Sequence, residues 1–404
     1  MFKKKAAMGF IFVTLLVDVI GLGIIIPVLP GLIMELGEVT TSDAAVIGGW
    51  MLFAYAFFQF LFSPVLGGLS DQIGRRPVLL FSLLGFGIDY LLMAIAPSIG
   101  WLFLGRIIAG ITGSSFTTAS AYIADVSTPE KRAQNFGMLG AAFGLGFIIG
   151  PMAGGLLGEL GVRIPFFAAA GLAILNALYG FFILPESLPA ENRRSYSWKR
   201  ANPIGTLLQL KKYPIILGLI TCLVFVYIAA HATQSTWAYF TIEKFDWSEG
   251  QVGMSLAFVG CMIALVQGVL IRPVVARIGQ VNAVYVGLSF NALGFLLIGL
   301  ATQGWMLYAI MLPYAFGGLA GPSLQGIMSN QVEPNQQGEL QGGLTSLISV
   351  TSIIGPPLMT GIFGYFTDKE VSVYLPSAPF YLGFIFALIS IFFAVRSLSR
   401  FPSH

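Results

Sequence analysis

Ile148-Ile149-Gly150-Pro151 and Ile353-Ile354-Gly355-Pro356 lie 205 residues apart, each inside a long apolar stretch. The same offset, without a gap, superposes Ile73-Gly74 on Ile278-Gly279, Gly113 on Gly318, Pro129 on Pro334 and Gly137 on Gly342. One period shared by so many glycines and prolines marks a duplicated half. Both copies are built from apolar runs of about 20 residues, the length a helix needs to cross a hydrocarbon core of roughly 30 Å. The repeat predicts an all-α membrane protein of twelve transmembrane helices in two six-helix pseudo-repeats, the arrangement of many secondary transporters.

Composition agrees. Of 404 residues, 56% are hydrophobic and 10% are charged, where a soluble domain carries roughly 25% charged residues. That excludes a soluble enzyme and a nucleic-acid binder, and helices are the way such a chain satisfies its backbone in lipid. Twelve spans are expected, at about 7–34, 45–68, 77–97, 99–124, 135–158, 164–184, 213–235, 250–275, 281–302, 304–328, 340–365 and 376–397. The polar segment 185–212 reads as a cytoplasmic linker between an N-terminal bundle, 1–184, and a C-terminal bundle, 213–404. Met1 to Lys5 followed by an apolar run resembles a secretory signal, but the run continues to about Glu35 without a small-residue cleavage pattern, so it reads as a retained span. Cys222 and Cys261 sit in apolar runs and form neither a disulfide framework nor a metal cluster.

Seventeen of the 21 Lys and Arg residues fall at the termini or in the even-numbered loops, against Arg163, Lys244 and Lys369 in the odd loops. This positive-inside bias places both termini in the cytoplasm of a multi-pass protein of the inner membrane. The expected partners are a small-molecule substrate, protons and the lipid bilayer, with no nucleic acid. The working unit is expected to be a monomer, with no cofactor and no resident metal.

Of the 39 charges, 36 lie in loops or at helix ends, which leaves Asp18, Asp89 and Arg106 within spans. A charge at a helix centre costs about 2.5–3.5 kcal/mol on insertion scales, so each must face protein or water. The bland reading is a helix-locking ion pair; the functional one is proton coupling. Asp18 precedes Gly21, Gly23, Pro27 and Pro30, residues that let a helix bend beside a cavity. A carboxylate there can hold a proton or a cationic substrate, and competition between the two is the minimum physics of antiport.

Two further motifs suggest gating. Gly67-Gly68-Leu69-Ser70-Asp71-Gln72-Ile73-Gly74-Arg75-Arg76 has the makings of a latch, in which Asp71 receives a helix N-terminus or an arginine and Arg75 and Arg76 reach acids such as Asp125. Gly146, Gly150, Gly154 and Gly158 repeat every four residues beside Pro151, a smooth stripe that serves close packing or a hinge. Tyr55, Gln59, Tyr122, Gln267, Asn291, Tyr314 and Gln325 are neutral polar residues within spans; singly each reads as an interhelical hydrogen bond, and as a set, Tyr55, Gln59, Gln267, Asn291, Tyr314 and Gln325 above all, they could line an aromatic, polar substrate cavity. His231 is a weaker candidate. No GxxxxGK[ST], HExxH or GxSxG is present, so ATP-driven pumping and hydrolysis lack a sequence basis.

These residues resemble the drug:proton antiporters of the major facilitator superfamily, and within it the tetracycline efflux proteins. Gly67 to Arg76 is similar to the superfamily's loop signature, Leu104-Gly105-Arg106 with Gly110 to the span-4 signature, and Gly137 through Gly155 to the span-5 antiporter signature. Arg75-Arg76-Pro77-Val78-Leu79-Leu80, Asp89-Tyr90-Leu91-Leu92 and Phe143-Gly144-Leu145-Gly146 resemble the tetracycline group in particular. The resemblance implies exchange of a metal–tetracycline cation for a proton, with Asp18 and Asp89 as membrane acids, Arg106 in proton transfer, and Gln59 and Gln267 in the substrate pathway. The chain departs from that pattern at Gln72, a basic position in the loop signature, at Asn291, an aspartate position in span 9, and at Ile263, a histidine position in span 8. Ala276 and Gln280 stand opposite Asp71 and Arg75 in the second copy of the loop. The same fold also admits a facilitator or proton symporter of a metabolite, or a non-transporting sensor or membrane enzyme.

Overall fold

Each long apolar run is helical, as a backbone in lipid requires. The computed structural model describes residues 2–196, 204, 205, 207, 210–213, 216–333 and 336–399, and of residues 2–7, 129–134, 338 and 339 only the backbone. Much of the expected linker, residues 197–203, 206, 208 and 209, lies outside the described residues. The helices are α1 (Phe2–Ile25), α2 (Leu29–Gly37), α3 (Thr41–Ile73), α4 (Arg75–Ile95), α5 (Ile99–Thr112), α6 (Ser115–Val126), α7 (Pro129–Gly158) and α8 (Ile164–Ile183). After the linker come α9 (Leu217–Phe245), α10 (Glu249–Leu265), α11 (Ile271–Leu300), α12 (Gly304–Ala315), α13 (Ala320–Ser329), α14 (Gln337–Thr367) and α15 (Ala378–Leu398).

Among the described residues, eleven helical stretches are long and apolar enough to cross a membrane. One of them, Glu249–Leu300, has 52 residues, about 78 Å at 1.5 Å per residue, more than twice the hydrocarbon core. It breaks at Gly279, with φ 79° and ψ 163°, so it makes two crossings and the chain makes twelve. Gly74, its partner in the repeat, separates α3 from α4 with φ 111° and ψ 162°. Only glycine adopts this region without strain, which explains why both copies of the Ile-Gly pair keep it.

Three crossings are interrupted where the sequence suggested single spans. The first, expected over 7–34, ends as α1 at Ile25 and resumes as α2 at Leu29, because Pro27 and Pro30 lack the N–H that a continuous helix needs. The fourth divides into α5 and α6 around Gly113 and Ser114, and the tenth into α12 and α13 around a 3-10 turn, Phe316–Leu319. Gly113 and Gly318, superposed by the 205-residue offset, occupy these two breaks.

The chain divides into two compact units. The first holds Met1–Val39, Ala54–Asn202 and Ser248–Ala257. In it α1 packs along α7 and α8, and α4 along α8 and α5. Helices in lipid gain little from burying apolar surface against each other, so close fit has to hold them. A methyl at Gly146 would lie 2.6 Å from Val19 Cγ1 and one at Gly150 2.8 Å from Gly23 Cα, while one at Gly154 would strike the Ile24 carbonyl. The stripe thus seats α1 on α7, which stays one helix through Pro151. The start of α10 joins this unit through Gly253, which lies against the Pro151 carbonyl, and Ser248 Oγ, which donates to Glu159 Oε1 at 3.1 Å.

The second unit holds Thr40–Phe53, Pro203–Trp247 and Phe258–His404. Here α9 packs along α15 and α14, and α11 along α15, the 3-10 turn, α13 and α12. Ser42 Oγ, at the start of α3, donates to the Gly364 carbonyl of α14 at 2.6 Å. Lys244 Nζ, near the end of α9, donates to Ser377 Oγ at 2.8 Å beside the start of α15. Phe182, Leu175, Trp305 and Phe392 are exposed, as lipid-facing side chains of a bundle should be.

Candidate functional site

The break in the fourth crossing builds the first half of the site. Thr112-Gly113-Ser114-Ser115 concentrates residues whose hydroxyls compete with helical hydrogen bonds, together with a glycine. Ser114 N donates to the Thr112 carbonyl at 2.7 Å, and the freed Gly113 carbonyl accepts from Gln59 Nε2 of α3 at 3.0 Å. Gln59 also donates to the Tyr55 hydroxyl at 2.9 Å. Ser115, the first residue of α6, donates through Oγ to Asp18 Oδ2 at 2.5 Å. Gln59 and Asp18 are thus both tied to the broken helix.

The structure separates the three membrane charges. Arg106 Nε of α5 donates to Asp89 Oδ1 of α4 at 3.2 Å, and its Nη2 pairs with Oδ2, a two-point ion pair sealed from solvent. A methyl at Gly105 would lie 2.6 Å from Asp89 Oδ1, so the glycine before the arginine is what admits the carboxylate. The guanidinium also lies over the Tyr55 and Tyr90 rings, at 5.8 and 5.9 Å, where ring faces attract a cation. Asp18 is also buried, yet among the described residues no Lys, Arg or His pairs with it.

The second unit repeats the plan without the charges. Gln267 Nε2, in a π-helical segment following α10, reaches the Gly318 carbonyl at 3.5 Å, as Gln59 reaches that of Gly113. Gly317 lies against the Asn291 amide, and Tyr314 OH bonds Thr233 Oγ1 of α9 at 3.0 Å. Gln325 Nε2 donates to Tyr227 OH at 3.2 Å. Ile263 packs in the apolar cluster of Val266, Ala315 and Leu319. His231 is buried against Gly355, where a methyl would meet its ring.

The loop after α3 forms a latch inside the first unit. Arg75 pairs with Asp71 Oδ1 at 2.6 Å and Asp125 Oδ2 at 3.2 Å, and donates to Ser70 Oγ at 2.6 Å. Asp71 therefore takes the arginine and not a helix N-terminus. The N-terminus of α4 is capped by Glu186, which accepts from Arg75 N at 2.8 Å and Arg76 N at 3.2 Å. Arg76 itself turns to the Phe181 carbonyl and ring. Beside the latch is a cleft of about 600 Å³ lined by Asp71, Arg75, Asp125, Leu188, Glu191, Asn192, Arg193 and Arg194. Among the described residues no three His, Cys, Asp or Glu side chains come together that could hold a metal ion.

A family model described as Major Facilitator Superfamily matches residues 11–320 and 240–404. The chain belongs to the major facilitator superfamily. Among its relatives is the tetracycline resistance protein, class C, of Escherichia coli, 42% identical over 89% of this chain and 90% of that protein. The class B protein of Escherichia coli is 37% identical over 87% of this chain and 86% of that protein. Multidrug resistance protein 2 of Bacillus subtilis (strain 168) is 28% identical over 88% of each. Among solved structures, the human organic anion transporter MFSD10 superposes with a TM-score of 0.72 at 25% identity, covering 97% of this chain and 99% of that one. The nucleoside transporter NupG shares the fold, with a TM-score of 0.74 at 14% identity over the whole of both chains. The two solved structures are of transporters, and the chain is a multi-pass member of the major facilitator superfamily.

Within this superfamily member, sequence reasoning missed Ser115, Thr233, Tyr227 and Glu186, and named Gly105 only as part of the motif around Arg106. Ser115 and Gly105 carried a local signal, one in a Gly-Ser-Thr run inside a span and the other beside a membrane arginine. Glu186 carried none, since its partners lie 110 and 111 residues away.

Proposed function

We propose that this superfamily member is a proton-coupled exporter of small amphipathic compounds, tetracycline-like drugs among them, that works by alternating access. The observation that carries the reading is the contrast between the carboxylates: Arg106 neutralises Asp89, whereas Asp18 has a hydrogen-bond donor and, among the described residues, no cation. A membrane carboxylate left open can take a proton or a cationic substrate and not both, so Asp18 is the coupling acid and Asp89–Arg106 holds the geometry around it. The names of the tetracycline and multidrug resistance relatives support export of drugs.

In this reading Tyr55 and Gln59 contact the substrate from around the broken helix of the first unit, and Gln267, Asn291, Tyr314 and Gln325 contact it from around that of the second. The Gly67–Arg76 latch with Asp125, and the Gly146, Gly150, Pro151 and Gly154 stripe, govern gating. We take the halves to be 1–184 and 213–404, a monomer in the inner membrane with both termini cytoplasmic, as the basic loops favour.

Purified protein in weakly buffered detergent tests this when Mg²⁺ and tetracycline are added while a pH dye is followed. Wild type should release protons and Asp18→Asn should not. Equal release from both would remove Asp18 from the coupling role.

A further inference from the structure

Asp18 and Ser115 meet where α1 and α6 run antiparallel. On the N-terminal side of Asp18, Phe10, Ile11 and Leu15 of α1 pack with Ala119, Tyr122 and Ile123 of α6. Thr14 and Thr118 flank the Asp18–Ser115 bond on the side of this apolar layer, four residues before Asp18 and three after Ser115. Residues three or four apart share a helix face, so both threonines lie on the contact between the two helices.

Both side chains are 1% exposed, and among the described residues neither hydroxyl has a hydrogen-bond partner. That is unusual within this protein. Thr112, Thr241 and Thr360 each donate to the carbonyl four residues back, whereas Thr14 and Thr118 do not. A third open atom is close in the chain of contacts: Asn176 of α8 donates through Nδ2 to the Thr14 carbonyl at 2.9 Å, and among the described residues its Oδ1 has no partner. Helical side chains lean toward the N-terminus of their own helix, which inclines Asp18 toward the level of Thr14 and Thr118 toward that of Ser115.

Buried polar groups that turn from their own backbone are satisfied by buried water, which typically makes about three hydrogen bonds. We propose that Thr14, Thr118 and Asn176 hold a water beside Asp18, and that this water is the first station of the proton between Asp18 and the α1 N-terminal end of the unit. The proposal rests on the reading of Asp18 as the coupling acid. In the step, the carboxyl O–H of Asp18 breaks and the proton passes to the water oxygen. Another proton leaves that water for bulk water at the α1 N-terminal end, and a carboxylate and a neutral water remain. The apolar layer closes this route in the present structure, since the Tyr122 hydroxyl is committed to the Pro185 carbonyl at 3.0 Å. The threonines are positioning residues.

The test uses the full chain in proteoliposomes with Mg²⁺–tetracycline as the probe. Thr14→Val combined with Thr118→Val removes both hydroxyls while keeping side-chain shape; Thr→Ser at both sites keeps the hydroxyls. The Val pair should lower gradient-driven tetracycline transport at least tenfold, change its solvent deuterium isotope effect and leave tetracycline affinity within twofold, with the Ser pair close to wild type. Wild-type transport by the Val pair, failure of the Ser pair to restore it, or a parallel loss of tetracycline affinity would each overturn the relay. If Asp18→Asn also transports as wild type, the coupling role of Asp18 falls as well; if only the Val pair does, the relay falls alone.

Discussion

Asp89 and Arg106 hold each other in a setting where neither charge would be tolerated alone. Removing one partner of a buried pair typically destabilises by about 3–5 kcal/mol, because it strands the other charge. Arg106→Ala should therefore lower the thermal unfolding midpoint of the purified protein far more than Arg106→Leu combined with Asp89→Leu. Equal losses from the single and double variants would show that the pair is not what Arg106 contributes. All three membrane charges were legible in the sequence, since an intramembrane charge stands out in a chain with so few. Which two pair was not legible, because that depends on how α4 and α5 are rotated and on the missing side chain of Gly105.

At the scale of the helix, the repeated glycines have distinct tasks. Gly74 and Gly279 sit at positive φ, where a side chain costs about 1–3 kcal/mol, and alanine at either should destabilise by that order in detergent melts. Gly154 faces the α1 backbone, whereas Gly144 has open space where a methyl would go. Gly154→Ala should cost about 1–3 kcal/mol through overpacking and Gly144→Ala almost nothing; similar melting points for the two would deny that the stripe seats α1. Gln59→Leu should lose about 1–3 kcal/mol by leaving the Gly113 carbonyl unpaired. The four-residue spacing of the stripe was readable, as were the prolines that end α1. The breaks of the fourth and tenth crossings were not, because hydropathy runs unbroken through residues whose hydrogen bonds leave the helix.

For the molecule as a whole, the duplication announced by the Ile-Ile-Gly-Pro pair accounts for twelve crossings and for two broken helices with a glutamine at each break. It does not make the halves equal. The first unit carries the ionisable site and an arginine latch; the second carries Asn291 and Ile263 in neutral surroundings, Ala276 and Gln280 opposite the latch residues, and His231 as its buried imidazole. The latch depends on a contact across sequence that no local pattern reveals: Glu186 holds the start of α4. Glu186→Ala should raise amide exchange at residues 75–79, and unchanged protection there would place the cap elsewhere.

Proton coupling is therefore expected to run through the first unit and through Asp18 in particular. The measurement that bears on this most directly compares two transport modes in proteoliposomes, tetracycline counterflow without a proton gradient and uptake driven by one. Asp18→Asn should retain counterflow while losing gradient-driven uptake. Gradient-driven uptake at the wild-type rate in that variant would contradict the account.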